Sequence, residues 1–119
     1  MVITPLLTQK EVNQNAYILM ISRHDAADCP AHNAENRKVT LEAFSKMEEL
    51  TAKHGIKIVG IWNIHSEHLT VQVVEAPSFE AFMAMSMEPP NMKLMNFETA
   101  EVKLAQKRQE MMQRMMQAQ

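Results

Sequence analysis

One cysteine stands between two of the chain's five histidines in the stretch RHDAADCPAHN, residues 23 to 33. Imidazole nitrogen and thiolate sulfur are the donors that zinc takes, usually four in a tetrahedron. The spacing His24-x4-Cys29-x2-His32 puts the last two within chelating reach, and the turn HSEH offers His65 and His68 as further arms. A set of three protein ligands leaves one position open for water or substrate, as catalytic zinc sites do. Zinc comes first among the transition metals, and copper or iron suits the same donors. The pattern contains neither a CxxC pair nor an HExxH helix, so the signal rests on where the fold brings these residues.

The same residues admit other chemistry. Cys29 precedes a helix, whose amides and dipole stabilise a thiolate, and a nearby histidine would serve as its base. Asp25 and Asp28 bring negative charge to that thiol and oppose its ionisation. A plain loop with a half-buried cysteine accounts for the stretch as well. A third possibility is a small-molecule pocket between the sheet and its cover. Trp62, Tyr17, Phe97 and methionines would line it, with Arg23, Asn63 or His65 as polar fixing points. Ordinary core packing competes with that reading, most strongly at Trp62.

The elements that position these residues follow from pattern. AYILMISR, residues 16 to 23, is apolar and branched enough for a buried strand. From Asn33 to His54 the period is helical: Leu41, Phe44, Met47 and Thr51 form a stripe with Leu50 beside it. Asn33 is the expected N-cap and Gly55 the left-handed C-cap. IKIVGIWNI and LTVQVVEA read as two strands joined by HSEH. Ser78 caps a short helix carrying Phe79, Phe82 and Met83, and EPPN ends it. A fourth strand is expected around Leu94 to Glu101, and a helix in the methionine-rich tail. The expected organisation is an N-terminal extension (1–15), an α+β domain (16–104) and a C-terminal helix (105–119).

The order βαββαβ is the ferredoxin-like pattern, an antiparallel sheet with strand order 4-1-3-2 and both helices on one face. The chain resembles the dimeric α+β barrel superfamily, in particular small uncharacterised members of it. The resemblance is carried by the strand ending in SRH, the CP after it, KHGIKIVGIW, the SEH turn and EAPSFEAF. It implies two sheets packed face to face in a homodimer. It also implies, should the protein be an enzyme, small-molecule oxygenase- or isomerase-like chemistry. A ligand-binding or metal-binding module and a purely structural dimer are the other classes that this architecture hosts. Both faces of the second strand are apolar, which also calls for a partner sheet.

In this topology the segment after the first strand and the HSEH turn emerge at one end of the sheet. His24, Cys29 and His32 therefore share an edge with His65 and His68, whereas His54 lies at the opposite end. Composition limits the partners. A formal net charge of −2 gives no basic footprint for nucleic acid. Two glycines in the whole chain leave no phosphate-cradling loop and hence no nucleotide cofactor. No apolar run suits a bilayer, the first fifteen residues lack signal-peptide character, and a lone thiol suits the cytoplasm. Met111, Met112, Met115 and Met116 fall on one side of the tail helix, as an adaptable interface stripe or, less simply, thioether ligands for copper(I).

Overall fold

The structure, a computed structural model, describes residues 15–118, so the expected N-terminal extension lies outside the described residues except for Asn15. The elements run β1 (Ala16–Arg23), α1 (Ala34–His54), β2 (Lys57–Ile64), β3 (Leu69–Ala76), α2 (Phe79–Ser86), α3 (Pro89–Met92), β4 (Thr99–Ala105) and α4 (Arg108–Gln117). The strands form one antiparallel sheet in the order β2-β3-β1-β4, the ferredoxin-like arrangement. Among the described residues no helix is long and apolar enough to cross a membrane.

Helix α1 begins and ends where its caps dictate. The Asn33 side chain accepts a 2.9 Å hydrogen bond from the Asn36 N–H, satisfying one of the helix's free donors. Gly55 stops it at φ 69°, a left-handed conformation in which a Cβ would also press on the Pro77 ring at 3.1 Å. Ser78 caps α2 by accepting from the Ala81 N–H at 3.0 Å.

Register fixes which residues share a face, because paired residues of an antiparallel ladder project to the same side. Ile18, Met20 and Ser22 of β1 lie with Val74, Gln72 and Thr70 of β3 and with Leu104, Val102 and Ala100 of β4. The core is built on this face, where Ile18, Val74 and Ala76 pack with Leu50, Ile56, Phe82 and Met85. The opposite face carries Leu19, Ile21, Val71 and Val73, and among the described residues no helix of the core cluster packs on it.

Four local expectations are corrected. Strict alternation along β2 fails, because a bulge between Ile58 and Gly60 adds a residue. Ile58, Ile61 and Asn63 therefore align with Val74, Gln72 and Thr70, whereas Gly60, Trp62 and Ile64 fall on the other face. The α1 stripe is only half used: Leu50 and Thr51 are buried, while Leu41 and Phe44 are 59% and 68% exposed. The two prolines of EPPN end α2 but also start α3, as its first two residues, where a missing N–H costs nothing. The fourth strand begins later than its apolar pattern suggests, because Lys93–Asn96 forms a 3-10 turn.

Candidate metal centre

The loop after β1 is held by helix α1 rather than by its own side chains. A 3-10 turn at Ala26–Asp28 leads into Cys29, whose N–H donates to the Ala26 carbonyl at 3.3 Å. The Cys29 carbonyl accepts from the N–H groups of His32 and Asn33 at 2.9 and 2.8 Å. From the first turn of α1, Asn36 Nδ2 donates to the Asp28 carbonyl at 2.9 Å. Arg37 donates through Nε to the Pro30 carbonyl at 2.9 Å and through Nη2 to the Ala31 carbonyl at 3.0 Å. Arg37 thus makes a two-point clasp on the backbone that carries Cys29.

The β2–β3 hairpin delivers the second part. His65–Glu67 forms a 3-10 turn, and His68 ends it at φ 52°, a left-handed conformation unfavourable for a side chain with a Cβ. The His68 carbonyl accepts from the His24 N–H at 3.2 Å, which ties the hairpin to the end of β1. Strain of this kind collects at sites where a side chain must be aimed, and costs roughly 1–3 kcal/mol.

His24, Cys29 and His68 converge. Each offers a ligand atom, and these atoms all lie within 4.8 Å of one another. A tetrahedral zinc site with bonds of about 2.0–2.3 Å needs neighbouring donors roughly 3.3–3.8 Å apart, so closure asks for movements of about 1 Å. Cys29 is 3% exposed. The two imidazoles meet edge to face with centroids 5.2 Å apart. Among the described residues, His24 Nε2 and His68 Nδ1 are both buried without a hydrogen-bond partner, an arrangement that costs about 1–3 kcal/mol per atom unless something binds there. Burial, and secondarily the neighbouring His68, lowers the His24 pKa against the opposing pull of Asp28 and Asp25. The neutral imidazole thus favoured is the metal-binding form.

The remaining sequence candidates are placed differently. His32 is exposed in the loop, and His65 is exposed with its ring 6.2 Å from that of His68; neither belongs to the convergent group. His54 lies at the far end of α1, where its Nε2 is 2.8 Å from Glu88 Oε2 and Lys53 reaches the same oxygen at 2.7 Å. Those two partners hold the Glu88 carboxyl below its usual pKa.

Beneath this edge, between the sheet and the helices, lies a cavity of about 660 Å³. Asn63 lines it; Trp62, Tyr17 and Arg23 do not. The Trp62 indole folds over Gly60, where any Cβ would collide with the ring, and the Tyr17 ring sits under the Lys107 ammonium at 5.1 Å. Arg23 is exposed at the end of β1. A residue that sequence reasoning passed over, Glu98, also lines the cavity, and burial raises its pKa from 4.5 to about 7. Nothing in the local sequence marks Glu98, because its burial is created by elements distant along the chain.

No family model matches the sequence, and no curated protein matches it. Solved structures do. One is RPA0582, a protein of unknown function from Rhodopseudomonas palustris, at 16% identity and TM-score 0.50, covering 87% of this chain and 93% of that one. Another is a conserved protein of unknown function from Bacteroides thetaiotaomicron, described as a possible oxidoreductase, at 11% identity and TM-score 0.47, covering 78% of this chain and 97% of that one. The first likeness bears on the α+β sheet fold alone.

Proposed function

We propose that the protein is a small homodimeric metal-binding domain that holds one transition-metal ion, zinc before copper or iron, through His24, Cys29 and His68. The observation that carries this reading is the convergence of three soft or borderline donors, among them two buried imidazole nitrogens with no hydrogen-bond partner among the described residues. An unpaired buried nitrogen is costly, and a metal removes that cost at both histidines at once. Three protein ligands leave a fourth position for water or a small ligand. His65 is exposed beside His68, its ring 6.2 Å away. A cytoplasmic setting suits the design, since a reduced lone thiol stays available as a thiolate ligand.

The homodimer is supported by the sheet face that the core helices leave open. Leu19, Ile21, Trp62, Ile64, Val71 and Val73 share it, and Trp62 is 54% exposed. A second copy of the same sheet is the simplest cover for such a surface.

Elemental analysis of protein purified without a histidine tag tests the metal. One ion per chain is expected, with stoichiometric uptake lost in His24→Ala, Cys29→Ser and His68→Ala and retained in His32→Ala. Uptake that is absent in the unaltered protein, or unchanged in all three variants, removes the metal site. Light scattering of the same samples tests the dimer, and a monomer across the micromolar range removes that part.

A further inference from the structure

The cavity between sheet and helices has an unusual electrical character. At about 660 Å³ it lies in the size range of small-molecule sites. Its wall is largely thioether and hydrocarbon, with Met20 and Ile61 from the sheet, Met47 from α1 and Met83 from α2. Ser22, Asn63, Thr70 and Gln72 give it a polar strip along the sheet floor. Among the described residues, Glu98 is the only ionisable side chain in the lining. The other described lining residues, from β1, β2, β3, β4, α1, α2, α3 and the 3-10 turn at Lys93–Asn96, are all uncharged. Among the described residues its carboxyl makes no salt bridge.

We propose that this cavity binds a small apolar molecule bearing one protonated amine, with Glu98 as the counter-ion that fixes the amine's position. A carboxyl placed alone in an apolar wall is a poor structural element, because burial opposes its charge and no partner offsets that. Its raised pKa, about 7, is the measure of that missing partner. A ligand ammonium supplies it in a medium where an ion pair is stronger than in water. The apolar remainder of the ligand meets methionines, which adapt to its shape and make favourable contacts with aromatic rings. Met83, Met87, Met92 and Met95 line the cavity and are also exposed, so they form a flexible rim through which the ligand enters. Asn63 adds selectivity: its Oδ1 is engaged by the Thr70 hydroxyl at 2.9 Å, which turns its amide donors to other duty.

This site is separate from the metal proposal, and its test uses protein stripped with a chelator. The probes are 4-phenylbutylamine and its neutral counterpart 4-phenylbutan-1-ol, followed by calorimetry and by the methionine methyl resonances. The amine is expected to bind more tightly as pH rises, by roughly 30-fold between about pH 5.5 and 8.5, because only the ionised carboxyl pairs with it. The alcohol's affinity stays flat, and Glu98→Gln removes the pH dependence for the amine and weakens it at least about tenfold. Three results overturn the proposal, the first two on the unaltered protein alone. They are amine and alcohol binding equally at every pH, no binding of either probe at millimolar concentration, and amine binding in Glu98→Gln that keeps its pH dependence.

Discussion

Replacing Glu98 by glutamine tests how much stability the protein gives up to keep a carboxyl in its cavity. Glutamine has the same shape and no charge. Burial raises the Glu98 pKa from 4.5 to about 7. Below about pH 4.5 the folded and unfolded chains both hold the proton, and Glu98 contributes no pH dependence. Between 4.5 and about 7 the unfolded chain releases its proton first, so stability falls as pH rises. Above about 7 both states have lost it and the penalty is constant. At about 1.4 kcal/mol per pKa unit, the full penalty is at most about 3.5 kcal/mol, reduced by whatever water reaches the open cavity. Urea denaturation of both proteins at about pH 4, 5.5, 7 and 8.5 measures it, the chelator being present throughout. The difference between Glu98→Gln and the unaltered protein cancels the other titrating groups. It is expected to grow from the acid end to neutrality in favour of the variant and then level off. A difference that is the same at about pH 4 and pH 8.5 refutes the burial argument, and so does one that favours the unaltered protein at high pH.

His68→Asn relieves the left-handed strain at φ 52° and removes a buried unpaired nitrogen. It should raise unfolding stability of the metal-free protein by about 0.5–1 kcal/mol while abolishing metal uptake, read by urea titration and elemental analysis. Arg37→Ala releases the Pro30 and Ala31 carbonyls, so metal affinity is expected to fall roughly 10–100-fold in competition with a chelator while the helix content by circular dichroism holds. Gly60→Ala drives a Cβ into the Trp62 ring, and should shift tryptophan fluorescence and weaken any dimer seen by light scattering. For Glu88, whose pKa is lowered by Lys53 and His54, the stabilising contribution is present above the ordinary carboxyl value of 4.5 and is lost as pH falls below it. Glu88→Gln should therefore flatten the acid limb of the stability profile.

Much of the architecture was determined by sequence alone, where neighbours along the chain do the work. Asn33 and Gly55 mark the ends of α1 because caps act on backbone groups a few residues away. The apolar runs of β1, β2 and β3 and their order imply the antiparallel sheet, and that topology already put His24, Cys29 and His68 at one edge and His54 at the other. Tertiary structure decided what depends on distant parts of the chain. Sharing an edge became convergence within 4.8 Å only through the left-handed turn at His68 and the clasp of Asn36 and Arg37 on the loop. The same details left His32 and His65 outside the group. An extra residue in β2 turned Trp62 away from the cavity and brought Asn63 to it, a choice that a strict two-residue period does not contain. Glu98 looks like any surface glutamate in the sequence. It becomes a solitary carboxyl with a pKa of about 7 because the sheet and helices withdraw it from water together, and desolvation is a property of the enclosure.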